Sequence, residues 1–218
     1  MNYTVKQGDY LAKIASSFGF ADWNTIWNDP NNAALKSQRK NPNVLYPGDQ
    51  LFIPDKQTKD ESRPADQRAK FKVKRNPLKL IVVLERAFNK PLANVACDVT
   101  IEGDTAKLTT DGNGKLQHDI SAKAENVQLI ARNSKTPIDD VMIPLQIGYL
   151  DPIDEISGQR QRLDNLAYAA SPVEGVDAAE ADRTFKSAVE EFQCDNKLAV
   201  DGVCGPATQN KLRAVHGC

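Results

Sequence analysis

The sequence predicts a multidomain α+β protein: a βααβ module, a middle antiparallel β-sandwich and a C-terminal three-helix domain. Three observations predict it. The first 54 residues open on a short β-branched run, continue with apolar residues at helical spacing and close on Leu51-x-Ile53-Pro54. Residues 77–147 hold β-rich runs at about ten-residue spacing, separated by turn signals. Residues 148–218 return to helical periodicity.

Composition excludes several classes. The 218 residues are 40% apolar and 26% charged, as in ordinary globular proteins. A formal net charge of −1 gives no electrostatic reason to bind nucleic acid or an anionic membrane. No window approaches the roughly 18 apolar residues of a membrane span. The Met1 end lacks a basic n-region and a continuous apolar h-region, so no signal peptide is expected. The expectation is a soluble chain made in the cytoplasm.

In residues 1–54, Thr4 and Val5 begin a strand. Leu11, Ile14, Ala15 and Phe18 lie on one helical face, and Gly19 ends that helix. Asp22 caps a second helix, Trp23 to Trp27, which Asn28-Asp29-Pro30-Asn31-Asn32 breaks. Tyr46-Pro47-Gly48-Asp49 turns the chain into a strand over 50–53, which must pair antiparallel with the first. This stretch, from Tyr3-Thr-Val through Gly8-Asp9-Tyr10-Leu11 to Pro47-Gly48-Asp49, resembles the LysM family. That resemblance implies binding to the N-acetylglucosamine backbone of peptidoglycan or chitin. It places the sugar at two loops: Gly8, Asp9, Tyr10 and Leu11, then Asn41, Pro42, Asn43, Val44 and Leu45. The second loop is longer here than is usual in the family.

Residues 55–76 are rich in Lys, Asp, Gln and Arg and read as a linker, whose end over Phe71–Lys74 alternates like a strand. Within 77–147, strands are expected at Leu78–Leu84, Ala96–Ile101, Val127–Ala131 and Val141–Ile147, with a turn at Asn89–Leu92. Asp111-Gly112-Asn113-Gly114 is a hairpin signal, because these residues supply positive φ. One Asp and one Asn fall far short of a calcium loop's oxygen ligands. The segment resembles prealbumin-like and carboxypeptidase-regulatory-like sandwiches, which implies a spacer.

In residues 148–218, amphipathic stretches run over Ile156–Leu166, Thr184–Phe192 and Pro206–Val215, the last opened by proline at a helix start. Asp201-Gly202 and Gly205-Pro206 make the reversal between the second and third helices. Gln161, Leu163 and Tyr168, then Phe192-Gln193, then Asp201-Gly202, Gly205-Pro206 and Thr208 resemble the PG_binding_1 family, a peptidoglycan-binding module. Two departures stand out: Ala167 where glycine is usual before the tyrosine, and extra residues Ala178–Asp182 in the first connecting loop.

Four cysteines are present, three of them in the last 25 residues: Cys194, Cys204 and Cys218, with Cys97 apart. Their spacings do not fit zinc ligand pairs, so no metal is expected. Helix three separates Cys204 from Cys218 by roughly 15 Å, beyond the reach of about 7 Å that a disulfide tolerates. Cys194 and Cys204 flank one reversal, so their pairing is expected on oxidation.

An enzyme needs convergent acids, bases or nucleophiles. His118 lies on an alternating strand and His216 near a terminus. Glu190-Glu191, Asp139-Asp140 and Asp151/Asp154 read as solvated charges. No catalytic residue and no cofactor is expected. The expectation is a noncatalytic adaptor holding peptidoglycan, through its N-acetylglucosamine glycan and its stem peptide. The domain order resembles proteins that accompany type VI secretion or related injection systems. That resemblance implies a spike or baseplate partner and delivery to the periplasm or wall. A hydrolase effector and a baseplate subunit are the competing readings.

Overall fold

The computed structural model describes residues 1–57, 62, 68, 70, 78–86, 90–132 and 140–218. Most of the expected 55–76 linker, the strand start at Phe71–Lys74, Asn89 and Asp139 lie outside the described residues. The protein is a mixed α and β structure with several small sheets. It divides into two compact units. One comprises residues 1–3, 8–33 and 50–149; the other comprises 4–7, 34–49 and 150–218.

At the N-terminus, β1 (Asn2–Thr4) pairs with β2 (Gln50–Phe52). Met1 and Ile53 exchange backbone hydrogen bonds, and Val5 bonds to Asp49, so the two runs are antiparallel as expected. α1 (Leu11–Ser17) buries Leu11, Ala12, Ile14 and Ala15, the face set by the helical spacing. α2 (Asn24–Trp27) buries Ile26 and Trp27. The N-cap position of α2 is Trp23 rather than the expected Asp22, whose carboxylate accepts from the Asn24 backbone N–H, 2.9 Å away, from one residue upstream.

A further helix follows that the sequence did not announce. The chain continues through a 3-10 turn, Pro30–Asn32, straight into α3 (Ala33–Arg39). Proline is tolerated there because it occupies the first turn, with Asp29 as cap. Asn32 is 1% exposed. Its amide donates to Ile26 O and Phe52 O, both at 2.8 Å, while its oxygen accepts from Phe52 N at 2.7 Å. The asparagine read as a helix breaker thus holds β2 in place.

The middle of the chain contains β3 (Leu78–Val83), β4 (Glu85–Arg86), β5 (Lys90–Pro91), β6 (Ala96–Ile101), β7 (Asp104–Thr109), β8 (Lys115–Ile120), β9 (Asn126–Ala131) and β10 (Val141–Gln146). A four-stranded antiparallel sheet has the order β10-β9-β6-β7, and β3 pairs separately with β8. Leu84, Cys97, Val99, Leu116, Val127 and Leu129 form one buried cluster, joined by Leu80 and Val82. Alternation in β3, β6 and β9 puts every second residue into this cluster.

Two turn expectations change. Asp111–Gly114 does form a turn, with Asp111 Oδ1 accepting from the backbone of Asn113 and Lys115. It is not a hairpin, however, because β7 pairs with β6 while β8 pairs with β3. The turn carries the chain from one sheet to another. Gly114 is required there: at φ 74° a Cβ would lie 2.3 Å from the Leu84 carbonyl oxygen. Lys90 and Pro91, expected in a turn, instead form β5 opposite Glu85 and Arg86.

The C-terminal region holds α4 (Ile156–Asn165), α5 (Ala178–Asp195) and α6 (Pro206–His216). α4 packs against both α5 and α6. Leu163, Ala188, Val189, Phe192 and Leu212 share one buried cluster with Ile153 and Ala170. Residues 178–182, expected to lengthen a loop, form the first turn of α5 instead. Asp177 accepts from Glu180 N at 2.8 Å and starts the helix upstream of the apolar pattern. Ala167 adopts φ 67°, the left-handed conformation that explains the usual glycine at this place.

Candidate functional site

The C-terminal motif folds around one side chain. Gln193 is 1% exposed. Its oxygen accepts from the backbone N–H groups of Asp201 and Gly202, both at 3.0 Å. Its amide donates to Asp201 Oδ1 at 2.8 Å, Thr208 Oγ1 at 3.0 Å and Val203 O at 3.1 Å. Donor and acceptor faces of one glutamine therefore organise the whole loop from Asp201 to Thr208. Gly202, at φ 70°, completes the reversal, and Gly205 caps α6 ahead of Pro206. Asp201 also accepts from Val203 N, and this bond, with that from Gln193, holds its carboxyl below the usual range.

A second buried hub is Arg162, 1% exposed. It donates to the backbone oxygens of Asp151, Gly158 and Cys218 at 2.7–2.8 Å. Burial pulls its guanidinium below its ordinary value. Gln161, a motif residue, accepts from Asp151 N at 2.7 Å. Leu163 is fully buried. Tyr168 meets Phe192 edge to face at 5.4 Å, and its hydroxyl donates to Asp195 at 3.2 Å. Burial, then that bond, pushes the phenol up to about 12. Beside Tyr168 lies an open groove of about 390 Å³, with Glu180, Arg183, Thr184, Ser187 and Glu191 along it. Most motif residues thus build the loop; of the motif residues, Tyr168 alone lines this groove.

The two LysM loops differ sharply. Gly8, Asp9, Tyr10 and Leu11 are all buried, with Tyr10 at 2% exposure. The Tyr10 hydroxyl lies 2.9 Å from Ala122 O and 3.0 Å from Ala124 O. Burial, reinforced by Glu125 and Glu102, pushes it up to about 12. Tyr3 donates to Asp9 at 2.7 Å. In the second loop, Asn43 is exposed, Asn41 and Pro42 are half-buried, and Val44 and Leu45 are buried. Arg39 and Asp49 flank it in a two-point ion pair, both contacts at 2.8 Å, and Asp49 also accepts from Tyr46 N. Tyr10, expected in a sugar-contacting loop, is thus buried against partners more than a hundred residues away in sequence.

The expected Cys194–Cys204 disulfide is not formed: all four cysteines are free thiols. The helix register explains this. α5 turns Val189, Phe192 and Gln193 inward, leaving Cys194 exposed, whereas Cys204 packs on the buried cluster. Burial raises the Cys204 thiol to about 11. Among other charges read as solvated, Asp140 pairs with Arg132, and Glu190 lies 3.7 Å from Lys186. Among the described residues, no group of His, Cys, Asp and Glu is placed to hold a metal ion.

His216 gives a pH prediction. Its ring nitrogens contact Asn165 at 3.0 Å and the Cys218 sulfur at 3.3 Å. Burial, then the nearby Arg162 charge, pushes it down to about 4. The folded state therefore disfavours the imidazolium. This contribution is fully present above pH 6.5 and is lost as pH falls through about 4. A loss of about 2 kcal/mol is expected after allowing for solvent near the ring. Urea denaturation at pH 7 and 4.5 measures it, and His216→Asn should remove most of the difference.

Comparison with protein families finds two matches. Residues 153–212 match the "putative peptidoglycan binding domain", PG_binding_1. Residues 3–29 match the LysM domain. The protein carries a LysM domain and a PG_binding_1 domain. Both are binding domains, which supports a role at the cell wall. The PG_binding_1 match covers the Gln193 network, and the LysM match covers the buried first loop but stops before the second. Comparison with curated proteins and with solved structures finds no match.

Proposed function

We propose that the protein is a noncatalytic adaptor that holds peptidoglycan, with the PG_binding_1 domain as its accessible contact. The observation that carries this reading is the groove beside Tyr168, lined along α5 by Glu180, Arg183, Thr184, Ser187 and Glu191. Carboxylates, an arginine and hydroxyls line the groove, and peptidoglycan stem peptides offer matching charges. Tyr168 adds an amphipathic ring. The exposed Asn43 loop of the LysM region is a second contact for glycan. Attachment to a type VI secretion or related injection machine, by a spike or baseplate protein that carries the chain to the wall, belongs to the same proposal. It rests on the resemblance in domain order.

Incubation with purified sacculi tests the noncatalytic reading. The protein is expected to release neither muropeptides nor reducing ends over hours. Reproducible soluble product from homogeneous protein would replace the adaptor with a hydrolase.

A further inference from the structure

The first LysM loop is covered from within its own compact unit. The turn between β8 and β9, residues 121–125, lies over Tyr10. This turn is internally ordered: Ala124 N donates to Ser121 O, and Lys123 N donates to Ser121 Oγ. It presents two carbonyl oxygens to the Tyr10 hydroxyl, and the Ala124 side chain is 0% exposed. Lys13 clamps the edge by donating to Gly8 O at 3.1 Å and pairing with Glu125 at 2.8 Å. Gly148 also approaches so closely that a Cβ there would lie 2.5 Å from Tyr10 Cδ1.

A carbonyl acceptor beside a methyl group is the chemistry of an N-acetyl substituent. An alanine peptide offers the same pair. We propose that the 121–125 turn is a built-in competitor for the first LysM loop, occupying it as an N-acetylated sugar would, so that glycan binds there only when the turn lifts. The inference rests on the wall-binding reading and adds regulation to it. It also assigns the middle region a function beyond spacing. Sugar affinity at this loop is then scaled down by the fraction of molecules in which the turn is open. Wall polymer at high local density would favour the open form.

The test uses the full chain and soluble N-acetylglucosamine pentamer. Ala124→Glu forces a carboxylate into a site with no room for it and displaces the turn. Gly148→Ala presses a Cβ on the Tyr10 ring and serves if Ala124→Glu fails to fold. Hydrogen exchange at residues 8–11 reports whether the loop is uncovered, and calorimetry reports pentamer affinity. Expected is faster exchange at 8–11 with at least about tenfold tighter pentamer binding. Adding pentamer to the unsubstituted protein should also speed exchange at 121–125. Faster exchange without tighter binding would overturn the proposal, and so would unsubstituted protein that already binds pentamer as tightly as the variants. Sacculus binding is scored in the same preparations. If it persists while pentamer affinity stays flat, the competitor fails and wall binding stands. If it is absent throughout, the wall-binding reading itself fails.

Discussion

Gln193→Leu is expected to destabilise the PG_binding_1 domain by about 3–5 kcal/mol, enough to unfold much of it. Leucine nearly matches the volume, so the loss comes from hydrogen bonding rather than from a cavity. The substitution removes the partner of two backbone N–H groups, at Asp201 and Gly202, and of Val203 O and Thr208 Oγ1. Each buried group left without a partner costs about 1–3 kcal/mol, and those nearest the surface recover part of that from water. Gln193→Glu should separate the two halves of the network. It keeps the acceptor for Asp201 N and Gly202 N but loses the donor and places a second carboxylate beside Asp201. That variant should be weaker than the parent at pH 7 and regain part of its stability on acidification. Urea denaturation followed by far-UV circular dichroism measures both. A Gln193→Leu loss below about 1 kcal/mol would show that the network does not organise the loop.

Phe192→Ala is the second large effect, with an expected loss of about 3–5 kcal/mol for a buried aromatic. Phe192 is fully buried among Leu163, Val189 and Leu212, so truncation leaves a cavity that three helices must close around. It also removes the edge-to-face partner of Tyr168. Such ring pairs add about 0.5–1.5 kcal/mol beyond burial. Where the variant stays partly folded, the Tyr168 side of the groove should be the first part to loosen. Near-UV circular dichroism and the denaturation midpoint together read that order. Phe192→Leu should cost much less, since leucine refills most of the space.

The legibility of the fold followed the range of the interactions that set it. Helical spacing at Leu11, Ile14 and Ala15, and at Ala188, Val189 and Phe192, was decided within a few residues, and both helices formed there. Asp111-Gly112-Asn113-Gly114 was legible as a turn for the same local reason. Its strands were assigned to the wrong partners because pairing depends on which sheet each strand joins. α3 was missed because a proline-asparagine cluster signals a break, whereas here it starts a helix with Asp29 as cap.

The candidate site followed the same rule. Asp201, Gly202, Gly205, Pro206 and Thr208 were recognisable as one motif, but the sequence did not show that Gln193 gathers four of its neighbours into a single network. A glutamine directly after a core phenylalanine on an amphipathic helix was the available signal. Arg162 next to Leu163 was another, since an arginine on the inner face of a helix needs oxygen partners. Nothing local to Gly8–Leu11 pointed to Ala122, Ala124 or Gly148, which lie more than a hundred residues away.

The most direct measurement is cosedimentation of the full chain with purified sacculi, titrated to saturation and repeated in excess salt. Saturable pelleting is expected, and it should weaken on Arg183→Ala or Glu191→Ala in the groove while both variants keep the parent's denaturation midpoint. Protein that remains in the supernatant at every sacculus concentration, although fully folded, would contradict wall binding.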